Sequence, residues 1–264
     1  MQVDLAPSPN FNDRKHPVDM LVLHYTGMDS GDAALARMRD PASEVSAHYM
    51  VWEDGRITQL VGADKRAWHA GVSSWQGDDD LNSRSIGVEI VNGGHDVPLP
   101  DGTLPPYPDA QIEALIALCR HVLTEYAIPP SRIVAHSDIA PARKTDPGEH
   151  FPWPRLAKAG IGLWPQAGPE NQGDESLLPG DASETVRHAQ SSLRTIGYGL
   201  EATGIYDDAT RLTVTAFQRH WLPDTLTGHG DARTLARLRD VYAAVTASSD
   251  PSSTSSSSSG SRTS

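Results

Sequence analysis

A histidine, a lysine and an aspartate lie close together in the stretch VAHSDIAPARKTDPG at residues 134–148, namely His136, Lys144 and Asp146. Another histidine, His24, lies near the end of an apolar run. Because α/β sheets present ligand groups just beyond the ends of their strands, we expect both imidazoles at one edge of a sheet. Two imidazoles and one carboxylate leave one position of a tetrahedral Zn²⁺ open, as in catalytic zinc sites. The residues therefore predict one zinc ion per chain, held by His24, His136 and Asp146.

Two further charged residues could take part in chemistry at such a centre. Lys144 lies two residues before Asp146, so in an extended segment both side chains project to the same side. Its ammonium group could there stabilise negative charge that develops during a reaction. Glu89 lies among apolar residues of a strand-like segment and could accept the proton of a water that zinc makes acidic. We predict Glu89 and Lys144 as catalytic residues.

Each of these charged residues also has a plainer interpretation. Asp146 precedes Pro-Gly, where a turn carboxylate is common. Lys144 fits a solvated loop equally well. Glu89 could form an ion pair with Arg84 or with a neighbouring lysine. Residue spacing alone leaves these alternatives open.

Three short apolar runs are the elements that would position these side chains. Residues 20–26 and 132–137 are β-favouring runs that carry a histidine at or near their ends. Residues 85–91 alternate with the period of a strand, which places Glu89 opposite an isoleucine-rich face. We therefore expect three strands that bring Glu89 and the two histidines into one sheet.

The surrounding segments supply the rest of this fold. Residues 48–61 predict a hairpin around an Asp54-Gly55 turn. A helical stripe runs through residues 112–126, with Asp109 expected as its N-cap and Pro129 ending it. Strands interleaved with helices predict an α/β fold in which a mixed central β-sheet is flanked by helices.

Composition divides the chain into two folded parts. A segment rich in Pro, Gly and acidic residues separates them, and the C-terminal end is dominated by serine. We predict a catalytic domain at 1–165 with an N-terminal arm at 1–16, a linker at 166–180, a helical domain at 181–246 and a disordered tail at 247–264. Each folded part is expected to bury its own core.

The smaller part has three helical patterns, at residues 183–196, 207–221 and 231–245. Ser183, Asp207 and Asp231 stand where N-caps belong. Apolar residues recur on one face of each helix, which predicts a compact three-helix bundle. The expected inner faces are Val186, Leu193 and Ile196; Val214, Phe217 and Trp221; and Leu235, Leu238 and Tyr242.

Overall charge and composition exclude several functions. The net charge is −12 and basic residues do not cluster, so we do not expect nucleic-acid binding. No apolar stretch is long enough to span a bilayer. The single cysteine, Cys119, cannot form an intrachain disulfide and fits a buried structural position on a helix. We expect a monomer.

The first fifteen residues lack a basic start followed by an apolar run, so we find no export signal. This favours a cytoplasmic location. A location in the periplasm or cell envelope is expected instead if the sequence is a processed form.

Residues 8–165 resemble the zinc-dependent N-acetylmuramoyl-L-alanine amidases of the type-2 amidase family, which shares its fold with phage T7 lysozyme and the peptidoglycan recognition proteins. The resemblance is greatest to the branch with the bacterial muropeptide-recycling amidase and its outer-membrane relative. It rests on several motifs in order: SPNFNDR, VLHYTGM, VSAHYMVWEDGRITQLV, AWHAG, NSRSIGVEIVN and VAHSDIAPARKTDPG.

The resemblance implies the same zinc ligands and catalytic residues as the residue types do. The T7 lysozyme branch has a cysteine as third ligand and a catalytic tyrosine, where this chain has Asp146 and Ala47. We therefore interpret Glu89 as taking over the task of that tyrosine. His69 and Asn82, which lie in two of the motifs, are interpreted as substrate contacts, and His48 as structural.

The family also implies a reaction and a partner. The reaction is hydrolysis of the amide between N-acetylmuramic acid and L-alanine in peptidoglycan or muropeptides. Residues 181–246 resemble the peptidoglycan-binding helical domain of cell-wall hydrolases, through the G-x-Y-D-x-x-T pattern that begins at Gly204 and the following AFQ and TGHGDARTL. Two alternatives are a catalytically silent peptidoglycan sensor and a zinc hydrolase of unrelated amides.

Overall fold

A computed structural model of the chain describes residues 2–168 and 176–248. Residues 169–175 of the predicted linker and 249–264 of the predicted tail lie outside the described residues. The strands are β1 (Asp4–Leu5), β2 (Phe11–Asp13), β3 (Met20–Tyr25), β4 (Tyr49–Val51), β5 (Ile57–Gln59), β6 (Lys65–Ala67), β7 (Ser85–Ile90) and β8 (Ile133–Ala135). The helices are α1 (Gly31–Arg39), α2 (Leu81–Arg84), α3 (Asp109–Glu125), α4 (His136–Ile139), α5 (Trp153–Lys158), α6 (Glu184–Ile196), α7 (Asp208–Trp221) and α8 (Ala232–Ser248).

Six strands form the central sheet in the order β1-β5-β4-β7-β3-β8. The β4–β5 hairpin is antiparallel, whereas β4, β7, β3 and β8 are parallel neighbours. The predicted mixed sheet flanked by helices is therefore confirmed. The predicted N-terminal arm forms β1 at the sheet edge and β2, which pairs with β6 in a separate ribbon.

The two faces of the central strands have different neighbours. Leu21 and Leu23 of β3 share one face with Ile86, Val88 and Ile90 of β7, and α3 packs on that face. The alternate residues, including His24 and Glu89, point to the other face. This alternation follows from the period of two in a strand, and it confirms that Glu89 lies opposite the isoleucine face.

Helix α3 begins one residue earlier than its capping pattern predicts. Pro108 is the N-cap and Asp109 is the first residue of the helix, so the prediction of Asp109 as N-cap was wrong. Asp109 instead forms an ion pair with Arg155 of α5. Cys119 is fully buried on the inner face of α3, and burial raises the pKa of its thiol to about 12. The prediction of an inert, structural cysteine agrees with this environment.

The three C-terminal helices form the predicted bundle. Side chains of Ser183, Asp207 and Asp231 accept hydrogen bonds from backbone N–H groups three residues later, as N-caps do. The predicted inner face of α8 was partly wrong, because Tyr242 is 39% exposed while Val241 and Val245 are buried. The stripe is shifted because α8 presents residues 234, 238, 241 and 245 inward.

The hydrophobic core of the bundle is continuous with buried residues of the larger part of the chain. One buried cluster includes Met20 and Val22 from β3, Trp75 from the loop before α2, and Leu193 and Phe217 from the bundle. The expectation that each part buries its own core was therefore wrong. Within residues 2–168 and 176–248, no helix is long and apolar enough to cross a membrane.

Leu115→Ala tests the packing of α3 on the sheet. Leu115 is fully buried, so the truncation should lower the free energy of unfolding by about 2–5 kcal/mol through lost burial and a residual cavity. Chemical denaturation monitored by circular dichroism measures the change. Glu125→Ala at the exposed end of the same helix is the control and should change the value by less than about 0.5 kcal/mol.

Candidate metal centre and active site

Three side chains from distant parts of the chain converge beneath the sheet edge. His24 comes from the second-last position of β3, His136 opens α4, and Asp146 lies in the following loop. The Nδ1 atoms of the two histidines are 2.9 Å apart, and Asp146 Oδ2 is 3.0 Å from each of them. All three residues are at most 5% exposed. The structure therefore brings together the three predicted ligands.

The Nε2 atoms of His24 and His136 point away from the triad, and their hydrogen-bond partners determine which nitrogen of each ring carries the hydrogen. His136 Nε2 lies 3.1 Å from the carbonyl oxygen of Ala70, which can only accept, so Nε2 donates. In the tautomer that carries a single hydrogen, on Nε2, the Nδ1 atom is unprotonated. Its lone pair points toward His24 and Asp146. A backbone carbonyl that orients a histidine in this way is typical of metal ligands.

His24 is set in the same tautomer by a longer chain of contacts. The Ser85 hydroxyl donates to the Leu81 carbonyl at 2.6 Å, so its oxygen accepts from His69 Nε2 at 3.1 Å. His69 Nδ1 is then an acceptor for His24 Nε2, at 3.0 Å. His24 Nδ1 is left with a free lone pair that points inward.

The inner atoms are therefore three hydrogen-bond acceptors within 4.8 Å of one another. Burial, and the proximity of His136, lower the pKa of His24 to about 4, which keeps its ring neutral. When no hydrogen lies between such acceptor atoms, their lone pairs repel one another. A cation removes this repulsion, so the donor set fits a metal ion.

Ser85→Ala should weaken metal binding without changing a ligand. The variant leaves His69 Nε2 without its acceptor and so releases the tautomer of His24. Loss of such outer partners typically lowers metal affinity about 10–100-fold. Competition with a chromophoric chelator measures the dissociation constant for zinc.

Ser137→Ala is the matched control for Ser85→Ala. Ser137 is 1% exposed and its hydroxyl has no hydrogen-bond partner within the described ranges. Equal zinc affinities of the two variants would contradict the role assigned to Ser85.

Glu89 lies beside His24 in the sheet. The two residues are Cα partners on the parallel strands β3 and β7, so their side chains leave the same face. Burial and, to a smaller extent, the charge of Asp146 raise the pKa of Glu89 well above its usual value, against the influence of Lys144. Its Oε2 atom is buried with no hydrogen-bond partner in the described part of the chain. Arg84 instead pairs with Asp19 and Asp78, so the plainer interpretation of Glu89 as its partner was wrong.

A cavity of about 440 Å³ opens over these groups. Glu89, Lys144, His136 and Asp146 all line it. The loop therefore places Lys144 in the same cavity as two of the ligands, as the spacing predicts. A carboxyl group with a raised pKa, an ammonium group and two members of a triad that could hold a metal ion line one cavity, and these are the components of a hydrolytic site.

His69, His48 and Asn82 have defined positions around this centre. His69 is 8% exposed and lines the cavity with one edge, and a Cβ atom at Gly87 would lie 2.4 Å from its ring. Asn82 is buried, and its Oδ1 accepts from the backbone of His69 and Ala70. Contact of His69 and Asn82 with substrate stays a prediction. His48 Nδ1 accepts from the Gly87 backbone, which ties β4 to β7.

Sequence reasoning missed several residues that line the cavity. Tyr25 and Arg143 are direct neighbours of predicted site residues, so their positions in the chain were a usable signal. Arg37 on α1 and Asp96 in the loop after β7 have no such signal. Arg143 also donates to the carbonyls of Ala70 and Val72, which holds the cavity wall in place.

Comparisons with known proteins agree with this site. The family model described as N-acetylmuramoyl-L-alanine amidase matches residues 14–149, and the model of a peptidoglycan binding domain matches residues 182–238. The N-acetylmuramoyl-L-alanine amidase AmiD of Escherichia coli K12 is 40% identical in an alignment of 231 positions that covers 83% of this chain and 80% of the relative.

Two solved structures are similar over most of their length. One is AmiD from E. coli in complex with anhydro-N-acetylmuramic acid-L-Ala-D-γ-Glu-L-Lys, with a TM-score of 0.74, 36% identity and coverage of 90% of this chain and 91% of that one. The other is AmpDH3 from Pseudomonas aeruginosa in complex with an anhydromuramic pentapeptide, with a TM-score of 0.70, 35% identity and coverage of 84% and 90%. Given these matches, the chain belongs to the N-acetylmuramoyl-L-alanine amidase family.

Proposed function

We propose that this amidase uses zinc, held by His24, His136 and Asp146, to hydrolyse the bond between N-acetylmuramic acid and L-alanine. The observation that supports zinc is the convergence of two unprotonated imidazole nitrogens and one carboxylate oxygen. This donor set suits zinc, and three protein ligands leave a position open for reaction. Zinc bound there would supply Lewis acidity, which polarises an amide carbonyl and makes water more acidic.

Glu89 is the proposed proton carrier. Because burial raises its pKa, Glu89 binds a proton more readily than an exposed carboxylate does, so it can take up the proton of the attacking water and later release it. The acceptor of that second transfer is the nitrogen of the departing L-alanine, which must be protonated before it leaves as an amine. The unpaired Oε2 atom is free to make both contacts.

Lys144 is the proposed stabiliser of the amide oxygen. Negative charge develops on that oxygen when water attacks the carbonyl carbon. An ammonium group in the same cavity stabilises this charge most strongly where water is excluded. Lys144 is half-buried and lines the cavity.

The proposed substrate is a soluble anhydro-muropeptide, the type of molecule that both solved relatives hold. Arg37, Arg143 and Lys144 line the cavity together with three acidic residues, so cationic partners for the carboxylates of a peptide are present there. The chain as a whole is acidic, with a net charge of −12. Recognition is therefore assigned to the cavity rather than to long-range attraction.

The test is incubation of the full chain with a purified anhydro-muropeptide, with and without a chelator. We expect release of a stem peptide with a free L-alanine amino group, loss of this release with chelator and recovery on adding zinc. Mass spectrometry of the products identifies the bond that is cut. Binding without cleavage would support the silent sensor instead, and chelator-resistant cleavage would contradict the metal.

A further inference from the structure

We propose that Tyr198 and His220 of the C-terminal bundle are positioning residues of the amidase centre, acting on the ligand His136 through Asp138. The inference rests on the proposed zinc site. It assigns the bundle a role in building that site, in addition to any contact with the cell wall.

Asp138 is the point where the bundle meets the metal centre. It is fully buried on α4, the single helical turn that His136 begins. Its Oδ1 accepts from the Tyr198 hydroxyl at 2.7 Å, and its Oδ2 accepts from His220 Nδ1 at 2.6 Å. Oδ2 also accepts from the backbone N–H of Ala135 at 2.9 Å. The bundle therefore supplies two of these three donors.

Helix α4 depends on such contacts because it is very short. Four residues form only one turn, which is not stable without support from neighbouring groups. At the start of the turn, Asp138 holds the Ala135 N–H group. The backbone N–H of Ser137 donates to the carbonyl of Asp146 at 3.0 Å, which connects the turn to the second ligand. Any tilt of α4 would move His136 relative to Asp146.

The two donors are themselves held rigidly. The His220 ring stacks on Trp153 at a centroid distance of 3.9 Å and on Trp221 at 4.0 Å. Tyr198 packs edge-on against Trp75 at 5.0 Å. Both donor residues are at most 2% exposed. Their hydrogen bonds to Asp138 are therefore preorganised, as positioning groups of a metal site need to be.

Polar contacts at the edge of the interface keep the bundle in this place. Arg219, next to His220, forms an ion pair of 3.3 Å with Glu149, three residues after Asp146. The backbone N–H of Gln76 donates to the carbonyl of Gly197 at 2.8 Å. The bundle is thus attached to the rest of the chain at two further points, which helps to hold its two donors in place.

The experiment compares two single-atom changes in the full chain. Tyr198→Phe removes the hydroxyl that binds Asp138 and keeps the ring. Tyr206→Phe is the matched control, since Tyr206 is 2% exposed in the same bundle and its hydroxyl donates to the Gly228 carbonyl at 2.8 Å, away from α4. For each variant, the zinc dissociation constant, the absorption spectrum of the cobalt-substituted protein, and kcat and KM on a soluble anhydro-muropeptide are measured.

Tyr198→Phe should weaken zinc binding about tenfold, alter the cobalt spectrum and lower kcat with KM nearly unchanged. Tyr206→Phe should leave the zinc dissociation constant within about twofold. The proposal is overturned if Tyr198→Phe binds zinc like the unchanged chain, or if both variants weaken it equally. The zinc and cobalt measurements do not depend on turnover, so they test this proposal separately from the proposed function. Absence of chelator-sensitive cleavage by the unchanged chain would refute the proposed function instead.

Discussion

Glu89→Gln is expected to lower kcat by about 10²–10⁴-fold while the protein keeps its metal, because a general acid–base group contributes a rate factor of that size. The amide has nearly the shape of the carboxyl group but cannot take up the proton of water. Glu89 is a neighbour of His24 in the sheet but is not one of the three converging acceptors. Activity and metal content should therefore separate in this variant.

Steady-state release of the stem peptide measures the activity of Glu89→Gln, and elemental analysis measures its zinc. Glu53→Gln, an exposed change on the β4–β5 hairpin, is the control and should match the unchanged chain in both measurements. Full activity of Glu89→Gln would refute the assignment of the proton carrier. Parallel loss of zinc and activity would show that Glu89 acts on the metal site instead.

His136→Ala is expected to lose both zinc and activity. The variant lacks one of the three proposed ligand atoms. Loss of a group that only hydrogen-bonds a ligand lowers metal affinity by up to about 100-fold, so the zinc dissociation constant should rise by more than that. The unchanged chain should also unfold at a lower temperature when a chelator is added, because zinc stabilises the folded state that binds it. His136→Ala should show no such difference between its melting curves with and without the chelator.

The control for His136→Ala is His121→Ala on the exposed side of α3, which should bind zinc and respond to the chelator like the unchanged chain. Calorimetry with and without chelator measures the melting temperatures. A His136→Ala protein that binds one zinc with unchanged affinity would show that the converging acceptors do not form the metal site.

Much of the site could be predicted because residue types and local periodicity indicate its chemistry. Alternation in residues 85–91 places Glu89 on the face opposite the isoleucines, since a strand can present side chains only with a period of two. Histidine and carboxylate side chains are specific enough to indicate a metal. Neighbouring strand ends then account for the meeting of His24 and His136.

Periodicity was less informative where two faces compete for burial. Tyr242 continues the apolar stripe of α8, yet Val241 and Val245 turn inward because the bundle packs against a neighbour that the stripe does not record. The same limit applies to His136, which begins a helix rather than ending a strand. Local patterns describe one element at a time, whereas the packing of each face depends on the element that covers it.

The sequence by itself determined the fold class, the three side chains that converge and the presence of Glu89 and Lys144 beside them. Only the tertiary structure decided which histidine nitrogens point inward, because Ser85 and His69 are separated by 16 positions and have no common motif. It also decided that Asp138 receives donors 60 and 82 positions away, in Tyr198 and His220. Hydrogen bonds across such separations depend on how whole elements pack, and residue spacing does not encode that packing.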